Sequence, residues 1–528
     1  MQAFESKSSS ADEYFKTDHL KTALRESAVR GAGATVFSQV LTYGIQMIST
    51  IVLARLLTPD DFGLVAMVIY IFMLFKMYRN LGLIDATIQK EKINHRQIST
   101  LFWINLVFSI VIALVFMALG PLIAWFYNEP KLKSIASVIS VVFVFGALST
   151  QHEGLLKRNM QFYRITATLI IATTTSAITA IALAWKGWGY WALVAKHVTF
   201  ELATAVGVWI SCRWRPGFPA FGTGVGPMLR FGANSLGSLT ANYFSQNLDK
   251  VLIGWRSGTE SLGYYDKAYQ LFMAPTQQLA YPLTHVSIAT LSRLCRDPER
   301  YRSYYLKALS MLAFIGLPMS ALLALIGNDL ILLLLGPQWK KAGVIFSIFS
   351  IGIGTQILYG THGWLHISLG RTDRWFRWGI VGSMITVTSF LIALPFGPLA
   401  VAVAYIVSLH VLTGPCLWYA GQPISLKLHS VLSVIWKYYL SALGAGLLCW
   451  FILYSFDLTS GAFASLGISV RLVLSSVLCI FVYLLLIIGL YRNTKPISQF
   501  ISIVREMVPS ISRSKQNERK RPSDIMDS

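Results

Sequence analysis

The chain has 528 residues, of which 54% are hydrophobic and only 13% charged, about half the charged share of a soluble protein. With a mean hydropathy of +0.56, too little charge remains to cover a water-facing surface, which excludes a soluble multidomain enzyme. The net charge of +21 comes from 45 Lys and Arg against 24 Asp and Glu. In a soluble chain it would point to nucleic acid, but cytoplasmic loops of membrane proteins are basic too.

Residues 1–30 are polar and charged. They predict a cytoplasmic segment without a signal peptide, so the first span must itself insert the chain. Apolar runs of about 20 residues, enough to cross a bilayer core of about 30 Å, predict an all-α polytopic protein with about fourteen transmembrane helices. They fall near 35–54, 63–84, 99–119, 134–153, 165–185, 188–211 and 231–254, then 262–288, 307–326, 342–366, 376–395, 397–419, 435–455 and 465–490.

With the N-terminus inside, the cytoplasmic segments are 1–30, 76–98, 155–166, 211–230, 292–308, 369–378, 421–437 and 491–528. They hold 34 Lys and Arg, the opposite loops hold 7, and Lys196, Lys250, Lys267 and Arg471 lie within spans. A bias that alternates at every loop predicts both termini in the cytoplasm and explains the basic excess without nucleic acid. The outer loops are short, and 327–338 reads as a brief interfacial helix before span ten. In the tail, Ile497, Phe500, Ile501, Val504 and Val508 recur at helical spacing ahead of Arg513, Lys515, Arg519, Lys520 and Arg521. That pattern predicts a helix lying on anionic membrane lipids. The five cysteines are scattered without a CxxC pair, so neither a disulfide framework nor a metal site is expected.

A shift of 200 residues superposes landmarks of two segments. Ser38, Tyr43 and Gln46 fall on Ser238, Tyr243 and Gln246; Gly63, Phe72, Met73 and Leu83 fall on Gly263, Phe272, Met273 and Leu283; Asp60 falls on Glu260. Six spans separate the copies, so the repeats run parallel, about an axis along the membrane normal. The expected organisation is a cytoplasmic segment (1–30), a first six-span lobe (31–211), a cytoplasmic linker (212–230), a second six-span lobe (231–420), an extra pair of spans (421–490) and a basic tail (491–528).

Gln39, Thr42, Gln46 and Ser49 form one stripe on span one; Asn234, Ser238, Asn242, Gln246 and Asp249 do so on span seven. Polar stripes avoid lipid, so both are expected to face a shared cavity or a packed helix. Charges inside the membrane are sharper signals, because each costs at least about 2.5–3.5 kcal/mol near the bilayer centre. Lys196 and Glu201 lie in span six, Asp249 and Lys250 in span seven, Asp266 and Lys267 in span eight. Spans seven and eight are expected to form a hairpin, in which Asp249 with Lys267, or Lys250 with Asp266, would make a purely structural salt bridge. Lys196 and Glu201 point about 140° apart on a helix and need different partners. Glu201, alone near mid-membrane, is a candidate proton site, with His197 beside it as helper or packing; Lys76 can snorkel to the inner surface.

Enzyme signatures are missing. No Gly-Lys dipeptide, Asp-x-Asp, HExxH or GxSxG occurs, which disfavours P-loop, metal-dependent sugar transfer, metalloprotease and serine-hydrolase chemistry. The expectation is a carrier without cofactor.

Residues 51–64 (Ile-Val-Leu-Ala-Arg-Leu-Leu-Thr-Pro-Asp-Asp-Phe-Gly-Leu) resemble the first hairpin of Wzx-type polysaccharide and O-antigen flippases. Residues 247–255, 262–269, 154–158 and 161–164 resemble further segments of this polysaccharide transporter branch, which includes colanic-acid exporters, of the multidrug/oligosaccharidyl-lipid/polysaccharide exporter superfamily. The resemblance implies a flippase of the bacterial inner membrane. It would move undecaprenyl-diphosphate-linked oligosaccharide, with ion-gradient coupling, and hand it to a polysaccharide polymerase downstream of glycosyltransferases. It also implies a cationic lumen for the headgroup, which Lys196, Lys250 and Lys267 fit by type and depth, with Gln46, Gln246 and Asn242 as polar lining. Glu201, Asp249 and Asp266 would couple ions or balance charge. The alternatives are a drug/cation antiporter of the same superfamily, which normally makes do with twelve spans, and a membrane glycosyltransferase or polymerase, which normally needs a large outer loop.

Overall fold

A computed structural model describes residues 39–79, 93–220, 226–455 and 467–494, with isolated positions (84, 87, 88, 90, 497 and 498) besides. The N-terminal segment and the amphipathic basic tail lie outside the described residues. Among the described residues the chain is helical, without strands. In order the helices are α1 (Gln39–Leu56), α2 (Pro59–Arg79), α3 (His95–Tyr127), α4 (Lys131–Arg158), α5 (Phe162–Trp185), α6 (Tyr190–Ser211) and the long α7 (Gly226–Leu294). Then come α8 (Pro298–Leu335), α9 (Lys340–Ser350), α10 (Ile353–Gly360), α11 (His362–Ser368), α12 (Thr372–Ala393), α13 (Pro398–Gly421), α14 (Leu428–Ser455) and α15 (Ile468–Tyr491).

Eleven of these helices are long and apolar enough to cross a membrane, and α9 to α11, bent by 50°, add a twelfth if counted as one span. The chain is a multi-pass membrane protein. The expected spans seven and eight fall on the two arms of α7, which carry Asp249, Lys250, Asp266 and Lys267 and are not among the apolar spans.

Local chemistry sets the boundaries. Thr58 caps α2: its N–H and hydroxyl both donate to Asp61, at 3.0 and 2.8 Å, and Pro59 takes the first helical position, where no N–H is needed. A reciprocal capping box between Asn94 and Gln97 starts α3, and Asn128 ends it in the left-handed region at φ 55°. Inside α7, Gly258 has φ 80° and ψ −177°, a conformation open to glycine. A continuous helix would separate residues 249 and 265 by about 24 Å. The Tyr265 hydroxyl instead donates to Asp249 at 2.8 Å. The chain folds back at Gly258, and the expected hairpin is present.

One expectation fails. Residues 327–335 do not form a separate interfacial helix; they complete α8, 38 residues long. Asp329 within this helix pairs with Arg471 of α15 at 3.2 Å. The bend after α9 has its own support: the Ser320 hydroxyl accepts from the Gly354 N–H at 2.6 Å, satisfying a donor freed by the break.

The chain divides into two compact units. One gathers the described residues up to Ala268 with Ile331–Ile345 and Gly379–Tyr405; the other holds Tyr269–Leu330, Phe346–Trp378 and the described residues from Ile406 on. Within the first, Phe72, Phe116 and Phe143 interlock at centroid distances of 4.5–5.9 Å and join α2, α3 and α4. Within the second, Phe272 stacks on Phe349 at 5.3 Å.

Candidate site of buried charges in the first unit

The first unit holds Lys196, Glu201, Asp249, Lys250, Asp266 and Lys267, whereas Arg471 lies in the second. A first cluster starts from α2 and the α7 hairpin. Lys250 is 1% exposed; its ammonium donates to Asp249 Oδ1 and Oδ2 at 3.0 and 3.1 Å and to the Gln246 carbonyl at 2.8 Å. Asp249 also accepts from Tyr265, so this carboxylate is held on two sides. The Tyr70 hydroxyl donates to Asp266, the Tyr70 carbonyl accepts from the Tyr243 hydroxyl at 2.5 Å, and the Lys250 ammonium lies 5.8 Å from the Tyr70 ring centre. Tyr70 of α2 is therefore tied to both arms of α7. Lys267 is buried with its ammonium 4.4 Å from the Phe62 ring centre, a cation–π distance.

Lys196 of α6 is half-buried, and its ammonium donates to the Ser49 hydroxyl of α1 at 3.3 Å. A second cluster forms where α2 meets α6. Glu201 accepts from Lys76 at 2.5 Å and pairs with Arg79 at 3.5 Å. The Arg79 guanidinium lies against Gly146 of α4, where a Cβ would come within 1.5 Å of Nη1.

Several site expectations change. Glu201 is not a lone carboxylate, because Lys76 and Arg79 both bind it; Lys76 turns into the protein rather than snorkelling. Lys250 pairs with its neighbour Asp249, and Asp266 accepts from Tyr70. Gln46 and Gln246 are exposed, whereas Ser49 on the same stripe is buried. Asn242 lies outside the residues whose side chains are described. Tyr70 and Tyr265 were not singled out: a tyrosine in an apolar run reads as packing. Arg79 was legible, since Lys76 and Arg79 are three residues apart on one helix face.

Counted by charge, Lys196, Lys250 and Lys267 exceed Asp249 and Asp266 by one. Ammonium groups at this depth can take up a phosphate as point charges, and the tyrosine bonds keep the carboxylates from neutralising the surplus freely.

The N-terminal ends of α2 and of the second arm of α7 meet backbone to backbone. A Cβ on Gly63 would stand 1.8 Å from the Thr259 carbonyl oxygen, and one on Gly263 would stand 2.0 Å from the Pro59 carbonyl oxygen. The Thr259 hydroxyl donates to Asp60. Arg55 donates to the Leu333 and Leu334 carbonyls at 2.5 and 3.1 Å, and the Gln338 amide and Trp339 indole both donate to the Ala54 carbonyl at 2.8 Å. In the second unit an apolar cavity of about 480 Å³ lies between α8 and α14, lined by residues including Ala321, Leu325, Tyr439, Leu443, Gly446 and Trp450.

A family model described as polysaccharide biosynthesis protein matches residues 52–343. The lipopolysaccharide biosynthesis protein WzxC of Escherichia coli (strain K12) is 23% identical over 380 residues, 70% of this chain and 76% of that protein. The teichuronic acid biosynthesis protein TuaB of Bacillus subtilis (strain 168) is 25% identical over 479 residues, 90% and 98% of the two. The succinoglycan biosynthesis transport protein ExoT of Rhizobium meliloti (strain 1021) is 23% identical over 69% of this chain and 74% of its own length. Among solved structures, the lipid II flippase MurJ in an inward closed conformation superposes with a TM-score of 0.69 at 16% identity, over 88% of this chain and 99% of that one. An inward-facing multidrug resistance transporter of the MATE family gives 0.59 at 13% identity, over 72% and 94%. These two likenesses give the fold.

Proposed function

The chain belongs to the polysaccharide biosynthesis protein family, and from that premise we propose that it flips polyprenyl-diphosphate-linked oligosaccharide across the bacterial inner membrane by alternating access. The observation that carries this reading is that Lys250 and Lys267, both buried, lie against Tyr70 and Phe62 of α2, while the half-buried Lys196 stands on α6, which packs on α2. A diphosphate has to leave water to cross, and buried ammonium groups supply the compensating charge. The residue-level roles are part of the proposal. Lys196 and Lys267 receive the headgroup, Lys250 is held by Asp249, and Tyr70 with Asp266 sets the charge balance that an ion gradient would shift.

Two further features support it. The outer ends of α2 and α7 are packed too closely for a sugar to pass between them, as expected of a carrier whose outer side is shut. The apolar cavity beside α14 offers hydrocarbon surface on which a polyprenyl tail can ride. We take the chain to be a carrier rather than an enzyme, built as two six-span lobes with two extra spans, passing its cargo to a polymerase on the outer face.

The test is complementation of a flippase-null, polymer-deficient strain, comparing the unaltered chain with Lys196→Ala and Lys267→Ala at matched membrane abundance. Restored surface polymer with the unaltered chain, and its loss with either variant, supports both function and site. Restoration by all three keeps the function and removes the site. If the chain instead protects a drug-sensitive strain and restores no polymer, the antiporter alternative replaces the proposal.

A further inference from the structure

The linker after α6 is not a loose connection. Residues 212–220 (Cys-Arg-Trp-Arg-Pro-Gly-Phe-Pro-Ala) run extended along the first two turns of α3. Alternate side chains turn inward: Cys212 and Trp214 are fully buried in a core with Ile98, Phe102 and Val208. The Trp214 indole donates to His95 at 3.0 Å, the Trp103 indole donates to the Gly217 carbonyl at 2.8 Å, and the Gly217 N–H donates to the Ser99 hydroxyl at 2.9 Å. Thr100 exchanges hydrogen bonds with Ala220 at 3.2 and 3.3 Å. The other side chains turn outward: Arg213 and Arg215 are exposed, and Phe218 is 93% exposed. Arg215 is itself fixed, donating to the Cys212 and Trp214 carbonyls at 2.8 Å.

Depth gives this strap its meaning. At 33 residues α3 is about 50 Å long, some 20 Å more than a hydrocarbon core, and with its expected span starting near residue 99 its first turn stands among the lipid headgroups. The strap is bound to residues 95–103, and the distribution of Lys and Arg puts that end on the cytoplasmic side. Two guanidiniums on a rigid backbone therefore sit at phosphate level, beside a phenyl ring at the boundary of the acyl chains. Tyr163, 60% exposed, and Arg164, which donates to the Ser211 carbonyl at 2.7 Å, continue the same surface.

We propose that the strap 212–220 is a binding site for the headgroup of an anionic phospholipid of the cytoplasmic leaflet, with Arg213 and Arg215 taking the phosphate and Phe218 entering the acyl region. This inference rests on membrane orientation and does not depend on the flippase reading. The strap follows α6 and is bonded to α3, so lipid bound there holds the neighbouring ends of both helices at a fixed depth.

The test uses the full chain with Phe218→Cys and Cys295→Ser, labelled at 218 with an environment-sensitive fluorophore and placed in nanodiscs of phosphatidylcholine with or without phosphatidylglycerol. The expected result is quenching by nitroxide lipids, shielding from aqueous iodide, and lipid contact that strengthens about fivefold per arginine when phosphatidylglycerol is present. Adding Arg213→Ala and Arg215→Ala should abolish the phosphatidylglycerol dependence. A label open to iodide in every disc would overturn the proposal and leave a cytoplasmic protein as the strap's partner. Lipid contact indifferent to phosphatidylglycerol, or to the arginine substitutions, would overturn the headgroup assignment.

Discussion

Gly63 and Gly263 stand 200 residues apart and make the same contact in reverse: each lays its bare Cα against the carbonyl that begins the other's helix, Thr259 for Gly63 and Pro59 for Gly263. Thr259 and Pro59 are themselves related by that shift, so the contact is its own symmetry mate. This is the packing expected where two repeats share an axis along the membrane normal. It accounts for glycine at both positions, since any Cβ would collide with backbone rather than with a side chain able to move.

The first prediction follows from that contact. Gly63→Val or Gly263→Val should hold the outer ends apart and reduce surface polymer at least about tenfold, the change expected from losing roughly 1.4 kcal/mol of one conformation. An impermeant maleimide should then label Thr259→Cys faster. Normal polymer output with either valine would show that the close approach is dispensable.

The Glu201 cluster should be mainly structural. Removing one member of a buried ion pair costs up to about 3–5 kcal/mol, because the other charge is left without compensation. Arg79 has 8% of its side chain exposed and Lys76 has 30%. Arg79→Met should therefore lower the melting temperature of the solubilised protein more than Lys76→Met, and Gly146→Val, which evicts the guanidinium, should resemble Arg79→Met. Equal melting temperatures for all three would contradict this ranking.

Tyr70 separates function from stability. Tyr70→Phe keeps the ring near Lys250 and deletes the hydroxyl that binds Asp266. A charge-assisted hydrogen bond contributes about 1.5–3 kcal/mol. Transport should fall about tenfold or more while membrane abundance changes little. Unaltered transport would remove Asp266 from the working site.

Filling the apolar cavity tests the tail. A Cβ on Gly446 would already stand 3.3 Å from the Ala321 Cβ. Gly446→Leu should occupy much of the space between α8 and α14 and slow transport of a long polyprenyl carrier without loss of abundance. If a short-chain carrier is slowed equally, the cavity is not a tail groove.

Much of this was legible in the sequence. Apolar periodicity gave the helices, and the 200-residue shift predicted the Gly63 and Gly263 correspondence. Beyond the first hairpins that shift stops working, because α8 has 38 residues against 33 for α3. Arg164 and Arg374, 210 residues apart, each donate to a carbonyl near the inner end of their repeat's last span, Ser211 at 2.7 Å and Tyr419 at 2.8 Å. A fixed shift could not align them. The pairings of charges were the least legible part. Composition gives the depth of Glu201, Lys76 and Arg79, but helix rotation decides whether they meet. Asn328 and Asp329 read as a helix end because Arg471 is 142 residues away in sequence.

The most direct measurement is translocation in proteoliposomes containing the purified chain and a polyprenyl-diphosphate oligosaccharide loaded in one leaflet, with an impermeant lectin reporting on the other. The account predicts that lectin-accessible sugar rises with the unaltered chain, rises at least about tenfold more slowly with the Lys196→Ala, Lys267→Ala double variant, and responds to an imposed ion gradient. Transfer by the double variant at the unaltered rate would contradict the site. No transfer by the folded, unaltered chain of an oligosaccharide whose polymer it restores in cells would contradict the flippase itself.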